Sequence, residues 1–561
     1  MKSKFLSFFN NFKALVKEKP LMVIFSFVCC LTMLILFIFG IRELGARLNF
    51  ELSEIASCDA NLFFTVGKAM AKGYRPYIDY YENKPPMIFI VCELSYLMTG
   101  GFYLVNVSSF LCCINLLIAP IGIGIVMAIK RKWNMFSAAL VTLILFTSSL
   151  FLLFYAEQRS GEIMCEIFGV SALMDALFVI SFLPREKKIH FYNPIIIVSG
   201  LFFGISIMFK EPFVLLGIFS YLFLVENKRD LLNKVVYPCA YGAITVLFIL
   251  VVSNSLVGYF SIYLPNMLFN HVNTNGSLLD RAKDIRKLFD DLDSFSKYLV
   301  IGIGLTVLIS TVRGTKIFEN EEKFSIKISF TVIRILLPYI YLFIASLSVA
   351  AGGQYFWHHF AFALPFYYSL LIDSALFVGD SVNQVKFYPF KKEHSKEAAN
   401  EWANPIVLLS LSFSIAFTIF TGYGIQTHQY SPKTEEMKNY VIRAKRGAKY
   451  VDDVLDSINE KEYLYVGFNG TDRIYCYTKH LPMGPTFVQD PDNFRKENFY
   501  TKSFREDLHT TKVIVFSSSA NLGIYEEVRD YISSEFTTTV PEEAKGIQKP
   551  EDFYYTVYYR K

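Results

Sequence analysis

The chain has 561 residues, of which 53% are hydrophobic and only 19% charged, against roughly 25% charged in an ordinary soluble chain. With a mean hydropathy of +0.35, that composition excludes a soluble globular enzyme. The net charge of +5 does not mark a nucleic-acid binder, because Lys and Arg cluster between apolar runs instead of lying among stacking aromatics in a soluble domain.

Met1 to Pro20 carries five Lys ahead of an apolar run from Leu21 to Ile41. That run is too long for a signal peptide and no small-residue cleavage site follows it. Residues 1–20 therefore read as a basic cytoplasmic tail, and 21–42 as a first spanning helix. Because translocating Lys and Arg is disfavoured, the clusters Lys130-Arg131-Lys132, Arg185 to Lys188, Lys228 to Lys234, Arg313 to Lys327 and Lys386 to Lys396 all belong inside. If 103–129 returns to Lys130, residues 43–102 form one large external loop. The apolar stretch 87–99 within it is then interfacial or re-entrant and not a full crossing. Further spans fall near 134–155, 163–183, 192–209, 212–225, 235–259, 298–312, 328–350, 360–378 and 405–423, about eleven in all.

Residues 424–561 change character. A helical pattern runs from Met437 to Ile458, and strand-like runs lie at Tyr463 to Gly467 and Lys512 to Phe516. The expected fold is a polytopic α-helical membrane protein with a transmembrane domain over 21–423 and a small external α/β domain over 424–561. It is multi-pass in the cytoplasmic membrane, with the N-terminus inside and the C-terminal domain outside. The nine Cys lie mostly in apolar segments without CxxC or Cys/His ligand spacing, which suits small buried hydrophobes. Neither a metal nor a cofactor is expected.

The informative polar residues gather in the external segments. The first loop reads Cys58-Asp59-Ala60-Asn61, then Gly73-Tyr74-Arg75-Pro76-Tyr77-Ile78-Asp79-Tyr80-Tyr81-Glu82-Asn83-Lys84-Pro85-Pro86. Pro85-Pro86 imposes an extended turn and starts the next helix, which places Lys84 at the membrane interface. There it either snorkels or meets a lipid phosphate. Asp59 sits between amphipathic stretches as either a helix N-cap or a general base toward a hydroxyl nucleophile. The next outer turn, Tyr155 to Glu162, includes Arg159, and Glu162 and Glu166 share a helix face at i, i+4.

Lys210-Glu211-Pro212 interrupts an apolar run, at a cost of about 2.5–3.5 kcal/mol per charge on insertion scales. It reads either as a second phosphate cation or as a pair that ends two helices. Gly352 to His359 offers Tyr355, His358 and His359 in another outer turn. Adjacent His point apart and make a poor metal site, so hydrogen bonding to phosphate or sugar is the better use. Asp175, Arg334 and Asp373 lie within expected spans, the acids as candidates for pairing inside the bundle and Arg334 for snorkelling. Asp291-Leu292-Asp293 spells D-x-D but falls in an amphipathic external helix, where a solvated face is the simpler reading. No GxGxxG or P-loop is present.

Taken in order, Asp59, the G-x-x-P-Y-x-D string (Gly73 to Asp79), Lys84-Pro85-Pro86, the acidic second loop, Lys210-x-Pro212 after a Gly-rich span (Gly200, Gly204), and G-x-x-Y-x-x-H-x-F (from Gly352 or Gly353) resemble the GT-C superfamily of integral membrane glycosyltransferases. The resemblance is to the branch of protein O-mannosyltransferases and aminoarabinose transferases, over roughly residues 20–425. It implies a dolichyl- or polyprenyl-phosphate-linked sugar donor and an inverting transfer to an acceptor hydroxyl on a glycan, lipid or protein. Asp59 would activate the acceptor. Lys84 and Lys210 would hold the donor phosphate with help from His358 or His359, and Glu162 would position acceptor or sugar. Arg75, Tyr77, Asp79, Glu82, Arg159 and Tyr355 would contact substrate. Many relatives carry a second acid directly after the catalytic Asp, where this chain has Ala60. Glu162 and Glu166 both remain open as the second-loop carboxylate. The alternative is a transporter or flippase of envelope glycan precursors working through Asp175, Arg334 and Asp373.

Overall fold

The computed structural model describes residues 12–48, 58–160, 165–184, 189–268, 294–317, 324–350, 361–384, 434–467, 474–485, 487, 499–517 and 526–561. Among these, six helical stretches are long and apolar enough to cross a membrane: Pro20–Gly40, Tyr103–Arg131, Met135–Leu153, Leu231–Val252, Thr331–Val349 and Ala361–Asn383. Met87–Thr99 has 13 residues, about 20 Å of helix, too short for a hydrocarbon core of about 30 Å. It stops where Gly100 takes φ 67 and returns its N–H to Tyr96 O, a left-handed cap that glycine adopts without a Cβ clash. The expected half-length segment is therefore present. Where full spans were expected near 192–209 and 212–225, the structure has two shorter apolar helices, Pro194–Phe209 of 16 residues and Phe213–Leu222 of 10, separated by the Lys210-Glu211-Pro212 turn. The span expected at 405–423 and the Asp291–Asp293 segment lie outside the described residues.

The chain divides into two compact units interleaved in sequence. The first comprises residues 1–46, 109–246 and 272–430. Its core is aliphatic and aromatic, with Leu116, Ile123, Leu150, Val170, Leu173, Ile196, Phe213 and Leu364 all buried. Pro194–Phe209 begins on an Asn193 side chain that accepts from Ile195 N–H, with Pro194 at the first helical position. A Cβ on Gly200 would lie 2.4 Å from Tyr241 Cβ, and one on Gly204 would lie 2.5 Å from Thr245 Cβ. These two glycines let Pro194–Phe209 and Tyr237–Val252 approach backbone to backbone, the small-residue packing that substitutes for a hydrophobic driving force in lipid.

The second unit comprises residues 47–108, 247–271 and 431–561. Its sheet runs in the order β2-β1-β3-β5-β4, with β1 Glu462–Val466, β2 Leu481–Pro482, β3 Val513–Ser517, β4 Phe536–Thr537 and β5 Tyr555–Arg560. Strands β2 and β3 flank β1 in parallel, Leu464 opposite Ile514 and Tyr465 opposite Val515. The β3–β5 and β5–β4 pairs are antiparallel. Central β1 and β3 are near-continuous apolar runs, as strands covered on both faces require, whereas β5 alternates buried and less buried positions. The expected helix at 437–458 is Thr434–Ser457, and the two expected strands are β1 and β3.

Helix Cys58–Ala71 belongs to this same unit and meets the segment that precedes β2. Asn61, Lys68 and Lys72 are spaced i, i+7 and i+11, so they share one helix face. Asn61 Oδ1 lies 3.7 Å from Cys476 Sγ. Lys68 Nζ donates to Thr478 O at 2.5 Å and Tyr475 O at 3.4 Å. Lys72 Nζ donates to Lys479 O at 2.7 Å. Further along, Tyr74 donates its hydroxyl to Glu462 at 2.6 Å, Tyr80 donates to Pro482 O at 2.6 Å, and Tyr81 N–H reaches Pro485 O at 3.0 Å. Residues 61–81 are thereby stitched to the C-terminal sheet domain by contacts roughly four hundred positions apart in sequence.

Candidate active-site loops

Asp59 stands in the first turn of Cys58–Ala71, half-buried. The helix dipole there favours a negative charge.

The string that follows the helix is folded on itself. Tyr77 takes φ +67, a left-handed conformation uncommon for a large side chain. Its N–H donates to Tyr80 O at 2.6 Å and its hydroxyl donates to Lys84 O at 2.7 Å. Asp79 accepts from the Arg75 backbone N–H at 2.7 Å and from the guanidinium at 3.0 and 3.1 Å. Partial burial pushes the Asp79 carboxyl up, but the hydrogen bonds from Arg75 outweigh it and hold the group below the usual carboxylate range. Arg75 and Asp79 thus engage each other across one turn. Tyr74, bonded to Glu462, has its hydroxyl pushed up to about 12, chiefly by that hydrogen bond and then by burial.

Lys84 ends the loop. Its ammonium lies 5.4 Å above the Phe63 ring centroid and 3.9 Å from a Glu82 oxygen, and its side chain is 14% exposed. A desolvated cation on an aromatic face interacts more strongly with an anion than a solvated one does.

In the first unit, Lys210 is the extended residue that ends Pro194–Phe209. Its ammonium lies 3.9 Å from a Glu166 oxygen and 6.0 Å from the Phe362 ring centroid. Glu166 opens helix Cys165–Ile180 and is 2% exposed. Lys84 and Lys210 therefore share one local chemistry: a mostly buried ammonium over a phenyl ring with a carboxylate just beyond hydrogen-bond reach. Among the described residues, Glu166 of the second loop faces Lys210. Glu162, Tyr355, His358, His359 and the Arg159 side chain lie outside the described residues.

The intramembrane charges behave differently. Asp373 accepts from both Arg313 and Arg334 and from Ser310 Oγ at 2.5 Å. Arg313 also meets Glu226 at 3.2 Å, and Arg131 reaches Glu226 and Asp380. Asp175 accepts from Asn115 Nδ2 at 3.0 Å. These acids are paired inside the bundle, as expected. Arg334, however, is buried against Asp373 instead of snorkelling, because a paired arginine avoids the cost of an isolated charge.

No known family and no curated relative matches the chain. Comparison with solved structures finds similar chains. The chain is similar to ArnT from Cupriavidus metallidurans in the apo state, at 14% identity over 94% of this chain and 97% of that one, with a TM-score of 0.46. It is similar to the same protein bound to undecaprenyl phosphate, at 14% identity, 96% and 98% coverage and a TM-score of 0.44. A third similar structure is the Archaeoglobus fulgidus oligosaccharyltransferase, at 13% identity, 90% and 70% coverage and a TM-score of 0.45. At that level of identity no residue's role passes from those proteins to this chain.

Residues that sequence reasoning passed over are Lys68, Tyr81, Tyr259, Tyr263 and Asn266. The density of tyrosine between Gly73 and Pro86 was the available signal, since buried Tyr needs both an apolar socket and a hydroxyl partner.

Proposed function

We propose that the protein is an inverting glycosyltransferase that moves a sugar from a polyprenyl-phosphate donor to an acceptor hydroxyl on the outer face of the cytoplasmic membrane. The observation that carries this reading is the matched surroundings of Lys84 and Lys210, two mostly buried ammonium groups over Phe63 and Phe362. When the sugar leaves, the phosphodiester becomes a monoester and its charge grows. Fixed cations in a low-dielectric setting stabilise that growing charge more than the ground state.

Asp59 takes the proton of the acceptor hydroxyl as its oxygen forms the new bond to the anomeric carbon. The bond from that carbon to the phosphate oxygen breaks on the opposite face, and the electron pair leaves with the polyprenyl phosphate. Glu166 holds the Lys210 ammonium in place. The C-terminal domain, bonded to residues 61–81, holds the loop that ends at Lys84. The acceptor is a hydroxyl of an envelope glycan, lipid or protein. The basic clusters between spans support a cytoplasmic N-terminus and an external C-terminal domain.

The test is transfer of radiolabel from a panel of polyprenyl-phosphate sugars to membrane fractions by the intact protein and by Asp59→Asn. Loss of a positioned base typically costs 10²–10⁴-fold, so label should move with the intact protein only. Equal transfer by a folded Asp59→Asn protein would remove Asp59 from the mechanism, and consumption of no donor by either would remove the transferase reading.

A further inference from the structure

The segment Gly258–Asn266 lies against the Tyr77–Lys84 loop within the second unit. A Cβ on Gly258 would fall 2.8 Å from Pro76 O and 3.0 Å from Tyr77 Cβ, so only glycine allows the segment this close. Tyr259–Tyr263 is a single π-helical turn, an energetically poor form of helix that is frequent at functional sites. The widened turn presents Tyr259 and Tyr263 together: their rings are 4.9 Å apart, and the Tyr77 ring lies 4.9 Å from Tyr263 and 6.1 Å from Tyr259. Phe89 and Tyr81 close the socket at 6.2 and 6.3 Å, and Tyr77 is 0% exposed. One turn further, Asn266 Nδ2 donates to Tyr81 OH at 2.6 Å, and that hydroxyl donates to Asn83 Oδ1 at 2.6 Å.

One chain of contact ends at Lys84, whose carbonyl oxygen accepts from Tyr77, and the other, through Asn266 and Tyr81, ends at the neighbouring Asn83. A buried tyrosine held at positive φ and clamped by a π turn is a costly arrangement for packing alone, and such strain persists where surrounding structure over-determines it. We propose that Tyr77 is a positioning residue. Its hydroxyl fixes the Lys84 backbone, and through it the direction of the ammonium, while the π turn at Tyr259–Tyr263 holds Tyr77 in place. In this role Tyr77 acts through Lys84, where the sequence resemblance implied a substrate contact. The inference rests on Lys84 being a donor-phosphate cation.

The experiment measures equilibrium binding of undecaprenyl monophosphate to the full chain in detergent, for the wild type, Tyr77→Phe, Lys84→Met and the double variant. Tyr77→Phe keeps the ring in its socket and removes only the hydrogen bond, so thermal melting should be nearly unchanged while the dissociation constant rises about five- to tenfold. In the Lys84→Met background, Tyr77→Phe should change the constant less than twofold, since a residue acting only through Lys84 has nothing left to position. Multiplicative effects in the double variant would make the hydroxyl a general structural contact and overturn the proposal. So would unchanged binding by Tyr77→Phe when Lys84→Met weakens it, or a Tyr77→Phe chain recovered only misfolded. Unchanged binding by Lys84→Met would instead reject the phosphate role of Lys84 itself, and the positioning role with it.

Discussion

Lys68 offers the sharpest quantitative prediction. It is 2% exposed and its ammonium donates to the Tyr475 and Thr478 carbonyls at the end of the short helix Ile474–Tyr477. Burial lowers its pKa to about 8 from an ordinary value of 10.5, with the Cys476 and Asp452 charges opposing and Lys72 adding to the drop. Because the folded state releases this proton before the unfolded state does, the unfolded chain binds more protons between those values, and stability rises with pH across that window. At 1.36 kcal/mol for each tenfold change in proton activity, the second unit should gain about 2 kcal/mol from Lys68 between pH 7 and pH 9.5. The perturbation is Lys68→Met, which preserves chain volume and removes the titrating group. Urea denaturation of the full chain in detergent, read by pulse proteolysis of the second unit, gives stability at each pH. The wild type minus Lys68→Met difference should climb by about 2 kcal/mol over that range. Lys72, whose pKa is also lowered, is present in both proteins, so only its coupling to Lys68 enters the difference. A difference that stays flat, or falls with pH, would show that Lys68 is solvated in the folded protein and would undo the account of how Cys58–Ala71 docks.

Other outcomes test neighbouring parts of the structure. Gly484→Ala places a Cβ 1.9 Å from Asp79 O, so it should destabilise the second unit by at least the ~1–3 kcal/mol typical of overpacking, visible in the same proteolysis assay. Burial together with the Glu506 and Glu462 carboxylates pushes the Asp507 carboxyl up to about 7. The unfolded chain gives up that proton near 3.8 and the folded one near 7, so stability falls as pH rises between those values, and Asp507→Asn should stabilise the unit at pH 8 but not at pH 4, as compared by urea midpoints. Asp373→Leu leaves Arg313 and Arg334 buried without their shared carboxylate, and should lower stability in detergent by about 3–5 kcal/mol, read by thermal melting.

The sequence by itself determined the local elements and the kinds of chemistry available. Apolar runs of spanning length marked the long helices, the half-length run at 87–99 followed from the charge pattern, and β1 and β3 were legible as short strands. Those features are encoded within a dozen or so residues, where periodicity and capping act. The string from Gly73 to Pro86 also announced itself, as a dense set of aromatic and charged groups with three prolines.

Only the tertiary structure decided how these pieces meet. That Lys210 faces Glu166, that Asp373 joins two arginines from different helices, and that Lys68 and Tyr80 bind carbonyls near residue 480 depends on contacts across tens to hundreds of positions. Tyr77 shows the difference most clearly. The resemblance implied a substrate contact for Tyr77, and the structure gives it a left-handed backbone and seats its ring beside Tyr259 and Tyr263. No local pattern records a socket built from another part of the chain. Burying an aromatic ring and satisfying its hydroxyl are gains that exist only once distant segments have been brought together.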